Sequence, residues 1–323
     1  MQNTLDLSGK NLSFLPESIR ELTSLEELDL DRNELSSLPE WIGELTTLKS
    51  LSLYSNRLTS LPEPVWQLTN LRKLNVAENH FSSLSERLGG LTGLQMLDLG
   101  HNELSFLPES IGNLRSLTFL YVSNNQLASL PKSFENLSSL IYLNLTDNRF
   151  TALPESIGSL NSLIELRLYN NQLAALPDEL CNLQKLKELH LMNNKLTSLP
   201  TSIGNLTSLK KLDLQDNRLT TLPESVGDLT SLTDLNLRNN RLALLPESLG
   251  NLKNLRYLDL RANRLTKLPA RFDKFTARST ETEPVEVEVK LPNLEKLDLR
   301  WNKLSSLPDW VQRLEQRGCT VFV

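Results

Sequence analysis

The sequence predicts an α/β solenoid of thirteen stacked units, a horseshoe with one strand per unit in a parallel concave sheet and short helical or 3-10 turns on the convex side. Three observations lead there. Asparagine recurs every 23 residues from Asn33 to Asn263 without a gap; each asparagine sits in a stretch reading LxxLxLxxNxL; and the rest of each unit reads LPxxIGxLxxL.

The strands follow from the LxL pairs. Leu28 and Leu30, or Leu166 and Leu168, alternate with polar residues at the period of a half-buried strand, so their side chains share one inward face. Stacked units set these strands side by side. The asparagine that ends each strand can then hydrogen-bond neighbouring turn backbone that would otherwise be buried without a partner. Lys10 stands one period before Asn33, in a terminal unit with one open side, where a lysine can reach water.

The convex turns follow from the LPxxIG half, as in Leu107-Pro108-Glu109-Ser110-Ile111-Gly112. Proline fixes φ for the first turn, Glu and Ser favour its positive end, and glycine is expected to stop it after one turn of 3-10 geometry. Twelve of the thirteen units keep the proline, with Ser85 the exception, while Trp66, Glu135 and Cys181 take the internal glycine position.

This pattern resembles the 23-residue leucine-rich repeats of bacterial proteins and of intracellular scaffolds, including plant Ras-group proteins and polarity scaffolds such as Scribble. The match covers nearly the whole chain and is specific for the fold. The resemblance implies protein binding on the concave face, and it carries over no catalytic residue, because the family's motif residues are structural.

The chain reads as a single domain over 1–323, with repeats from 1 to 304, an insertion at about 276–291 and a C-terminal cap over about 305–323. Asn302 follows Asn263 by 39 residues, one period plus 16, so the insertion precedes the thirteenth strand. Within it Val285, Val287 and Val289 alternate with Glu286 and Glu288 after Pro284, which suits either a mobile loop or an ordered docking element. In the cap Trp310, Val311 and Leu314 share a helical face, Gly318 suits a helix stop, and the last residues can form a closing strand. The N-terminus shows no such cap, leaving unit one to cap itself or an edge for weak self-association.

Function should be written on the strand positions that the motif leaves open, a surface about 58 Å long at about 4.8 Å per strand. The first units place Thr4, Asp6, Ser8, Glu27, Asp29, Asp31, Ser50 and Ser52 there, which look like ordinary solvated positions. The middle units place Met96, Phe119, Tyr121, Tyr142, Arg167, Tyr169, His190 and Met192 there. Aromatics, Met and Arg are what interface hot spots enrich, so this patch is the predicted partner site; cross-strand aromatic packing is the bland alternative. Toward the C-terminus Arg238, Arg261 and Arg300 repeat at one position beside Tyr257 and Trp301, a secondary patch that could fork onto carboxylates or phosphates. Asn236, Asp259 and Asp298 stand two residues earlier, which favours a solvated charge ladder over such a patch.

Composition narrows the rest. A net charge of -5 gives no pull toward nucleic acid or an anionic membrane, and two distant cysteines argue against disulfides and zinc. No phosphate-cradling glycine loop occurs, His80, His101 and His190 sit in separate units, and no cofactor or metal is expected. Asn11, Asn136, Asn144 and Asn205 match Asn-x-Ser/Thr as by-products of the repeat. The expected protein is a cytoplasmic, non-catalytic scaffold that binds a protein partner. The alternatives are the recognition arm of a larger enzyme, as in the Roco GTPases that such repeats resemble, and an exported bacterial effector or surface protein.

Overall fold

A computed structural model describes residues 3–269 and 290–323, so the predicted insertion lies outside the described residues except for Lys290 and Leu291. The chain forms two compact units, residues 1–171 and 172–323.

The first unit carries eight three-residue strands: β1 (Thr4–Asp6), β2 (Glu27–Asp29), β3 (Ser50–Ser52), β4 (Lys73–Asn75), β5 (Met96–Asp98), β6 (Phe119–Tyr121), β7 (Tyr142–Asn144) and β8 (Glu165–Arg167). Each pairs in parallel with the next, and the central leucines align, Leu97 with Leu120 and Leu120 with Leu143. The second unit carries β9 (Glu188–His190), β10 (Lys211–Asp213), β11 (Asp234–Asn236), β12 (Tyr257–Asp259), β13 (Lys296–Asp298) and β14 (Thr320–Phe322), parallel in the same way. The LxL leucines are buried from Leu28 onward, whereas Leu5 and Leu7 on β1 are half-buried.

Three residues make too short a strand to stand alone; the asparagines hold successive strands in register. Asn102 shows how. Its Nδ2 donates to Val76 O of the preceding repeat at 3.0 Å and to Leu99 O of its own at 3.1 Å, while its Oδ1 accepts from Phe81 N at 2.9 Å. The same three bonds recur from Asn33 to Asn148, and Asn33 accepts from Lys10 N as well. Lys10 itself is exposed, as its terminal position predicted. The residue before each asparagine has left-handed backbone, with φ 54 at His101 and Asn124.

The convex turns are 3-10, as in Glu109–Asn113. Proline precedes this turn rather than entering it, with extended backbone, and its carbonyl accepts from Ile111 N at 3.1 Å. Ser85 supplies by side chain what proline supplies by fixed φ, its Oγ accepting from Arg87 N at 3.2 Å. The glycine does not stop the turn. Gly112 lies inside it, and a Cβ there would stand 2.4 Å from Ser133 O of the next repeat, so close stacking of successive turns is what requires glycine. Where Trp66 replaces it, the following repeat carries Gly89 and Gly90 together, and a Cβ on Gly90 would lie 2.9 Å from Trp66 O.

Helix α1 (Asp309–Gln316) buries Trp310, Val311 and Leu314, ends before Gly318 at φ 93, and leads into β14. Trp310 Nε1 donates to Pro269 O at 2.8 Å. Across the insertion Tyr257 still aligns with Lys296, and Asn302 bonds Leu260 O at 2.9 Å and Leu265 N at 3.1 Å.

Replacing Asn102 by Asp keeps an acceptor for Phe81 N but points a carboxylate oxygen at two carbonyls. It is expected to lower stability in urea by about 3 kcal/mol at neutral pH, the scale of buried groups left without donors, and by less at acid pH where the carboxyl carries a proton.

Candidate functional site

Strand ends in both units reveal a side-chain role that the repeat motif does not announce. The last strand residue is Asp or Asn in nine repeats, and its side chain accepts from the backbone N–H two residues on: Asp6 from Ser8 at 2.8 Å, Asp29 from Asp31 at 2.9 Å, Asn144 from Thr146 at 3.1 Å, Asp213 from Gln215 at 3.1 Å. Asp6 and Asp29 are therefore turn caps rather than merely solvated groups. The signal was available as a 23-residue column of Asp and Asn. Four repeats depart from it, with Ser52, Tyr121, Arg167 and His190. At Ser52 the cap is borrowed, because Asp31 accepts from both Ser52 Oγ at 2.6 Å and Tyr54 N at 2.8 Å. The other three departures are predicted site residues.

In the first unit β5 to β8 bring six predicted residues onto one face. Met96, Phe119 and Tyr142 align across adjacent strands, and Tyr121 aligns with Asn144, itself aligned with Arg167. The rings of Tyr121 and Tyr142 meet diagonally at 5.0 Å and 40°, and the Arg167 guanidinium covers the Tyr142 ring at 5.5 Å while its Nε donates to Glu165 at 2.5 Å. Cross-strand packing thus accounts for part of the cluster, and it holds the two tyrosines and Arg167 in a fixed arrangement. Phe119 remains 40% exposed, while Met96, Tyr121, Tyr142, Arg167 and Tyr169 are half-buried. Burial pushes the Tyr142 phenol up to about 12 and raises that of Tyr121 as well.

In the second unit His190 bonds Glu188 at 3.1 Å, with its side chain only 12% exposed, and Met192 is half-buried. The arginine row is engaged within its own face: Arg261 lies on Asp259 and reaches Asp298 at 3.4 Å, and Arg300 binds Asp298 at 2.6 Å. Burial alone would raise the Asp298 carboxyl; hydrogen bonds from Arg300 and the charges of both arginines outweigh it, leaving the carboxyl below its ordinary range. Arg300 also stacks on Phe322 at 4.8 Å and on Trp301 at 5.7 Å, and Tyr257 donates to Glu295 at 2.9 Å. Trp301 is 64% exposed with φ 61, an uncommon backbone for a bulky residue. Arg238 donates its backbone N–H to the capping Asn236 Oδ1 at 3.2 Å, and it makes no ion pair among the described residues.

Burial raises the thiols of Cys181 and Cys319, which leaves both poor nucleophiles. No helix among the described residues is long and apolar enough to cross a membrane.

A family model described as Leucine-rich repeat region matches residues 61–142, 131–217 and 178–240, and a second, Leucine Rich Repeat, matches 24–45, 231–252, 254–275 and 293–314. No curated protein sequence matches. Among solved structures the chain is similar to a leucine-rich-repeat protein of Leptospira interrogans, at 31% identity over 99% of this chain and 95% of that one, with a TM-score of 0.61. It is similar to YopM, a leucine-rich effector protein from Yersinia pestis, at 30% identity over 95% and 79%, with a TM-score of 0.67. A plant peptide hormone receptor, RGFR1 in complex with RGF2, matches at 30% identity and a TM-score of 0.78 over 96% of this chain and 49% of the receptor, so the chain spans about half that length.

The Tyr142 proton predicts alkaline behaviour. Its folded pKa lies above the unfolded value near 10, so the folded state holds a proton that the unfolded state loses, and stability contributed by Tyr142 declines as pH rises from about 10 to 12. Phenolate absorbance should show a late-titrating tyrosine that disappears in Tyr142→Phe.

Proposed function

Since the chain belongs to the leucine-rich-repeat family, a fold that generally mediates protein–protein interaction, we propose that it is a non-catalytic scaffold holding a protein partner on its strand face. The first unit contributes the patch of Met96, Phe119, Tyr121, Tyr142, Arg167 and Tyr169. His190 and Met192 are the corresponding positions of the second, where Arg238, Tyr257, Arg261, Arg300 and Trp301 form a lesser patch. The observation that carries this reading is the strand-end column. Tyr121, Arg167 and His190 stand where nine repeats keep an Asp or Asn turn cap. Giving up such a cap costs about 1 kcal/mol, which solvated face positions would have no reason to forgo. The complex of the similar plant receptor with RGF2 supports a polypeptide ligand. The exposed Trp301 supports a contact role in the lesser patch.

Replacing Tyr121 and Tyr142 by Ser is expected to leave the circular-dichroism spectrum unchanged and to abolish capture of the partner that wild type cross-links in its own cells. Undiminished capture by a folded double variant would remove the patch from the proposal.

The similarity to YopM supports a second reading, in which the chain is an exported effector. Fractionating the source cells separates the two, since a cytoplasmic scaffold stays with the soluble cell contents and an effector appears in the medium or in a host.

A further inference from the structure

The strand faces of the two units differ in charge, and that difference describes the partner. Along the first unit the outward positions of β1 to β8, with the position two residues beyond each strand, hold Asp6, Glu27, Asp29, Asp31, Asp98 and Glu165 against Lys73 and Arg167, an excess of four negative charges. The same positions of the second unit balance, with Arg261 and Arg300 lying on Asp259 and Asp298. In the first unit the acids are not spent in this way. Asp6, Glu27, Asp29, Asp31 and Asp98 form no ion pair among the described residues; their bonds go to backbone N–H groups and hydroxyls. A fold needs only an acceptor at the strand end, and Asn75 fills that need without charge by accepting from Ala77 N at 3.0 Å. The charge of Asp6, Asp29 and Asp98 is therefore surplus to the turn.

We propose that the occupant of the first unit's strand face is a basic, extended segment of a partner protein, its lysines or arginines over the carboxylates of β1 to β5 and its apolar side chains on Met96 and Phe119. This rests on the strand-face reading above and adds the partner's chemistry. Carboxylates at one end and aromatic rings at the other both attract a cation, since ring faces carry negative potential. Tyr142 already holds Arg167 in this way, which shows the patch in use on a guanidinium from the chain itself. Seven inter-strand steps of about 4.8 Å give about 34 Å, the reach of roughly ten extended residues. Phe119, 40% exposed, offers the open apolar contact beside them. An acidic or nucleic-acid partner would meet like charge on this face.

The test uses the full chain and three fluorescein-labelled decapeptides alternating phenylalanine with lysine, with glutamine or with glutamate, read by fluorescence anisotropy. The lysine peptide is expected to bind at least ten-fold more tightly than the other two, and to weaken about ten-fold between roughly 0.05 and 0.5 M salt as screening shortens. A variant carrying D6N, E27Q, D29N and D98N removes four charges while keeping every acceptor, so the turns stay capped; it should lose the preference for lysine while its thermal unfolding is retained. No preference for the lysine peptide, including no binding by any peptide, overturns the proposal, as does an unchanged preference in the neutralised variant. The broader reading fails separately: if Tyr121→Ser with Tyr142→Ser abolishes partner capture while the neutralised variant captures normally, the strand-face site stands and the basic partner is rejected.

Discussion

One buried carboxamide per repeat underlies everything else in this molecule. An asparagine four residues past each strand donates to carbonyls of two successive repeats and accepts an N–H from the earlier one, as Asn102 does with Val76, Leu99 and Phe81. Only an amide side chain both donates twice and accepts, and the turn it fills contains backbone that nothing else reaches. The strands can be three residues long because this group, rather than strand length, fixes their register. The leucine core then adds non-directional burial, which stabilises the stack without choosing its pitch.

Against that constant framework, departures carry the information. A strand end with Asp or Asn serves its own turn, and one with Ser borrows from Asp31. Those with Tyr121, Arg167 and His190 carry no such cap, and their side chains lie on Tyr142, Glu165 and Glu188. Phe119 and Trp301 are exposed without contributing to the core. The same logic separates the two arginine settings: Arg300 is anchored by a fully buried Asp298, whereas Arg238 makes no ion pair among the described residues.

Most of the fold was legible because its determinants repeat at one spacing within the chain. The leucines, the asparagines, the Trp310 face and the Gly318 stop could all be read locally, and the structure places them so. The role of Gly112 could not, since the atom that forbids a side chain there, Ser133 O, belongs to the next repeat and is visible only once the turns are stacked. The capping role of Asp29 was hidden for a different reason: aspartate on an open strand position suggests water, and its bond runs to backbone. The candidate patch was legible as a list of residues. Its geometry was not, because the diagonal contact of Tyr121 with Tyr142 and the placement of Arg167 over a ring depend on side-chain directions that spacing does not fix.

The junction between β12 and β13 has a consequence for how this protein can be altered. Asn263 and Asn302 are 39 residues apart in the chain, yet Asn302 bonds Leu260 and Leu265 as though a single period separated them, and Trp310 ties the end of the chain to Pro269. Among the described residues the repeat register is the same on both sides of this junction. That kept register makes the junction the place where an engineer would first splice a tag or a second binding module.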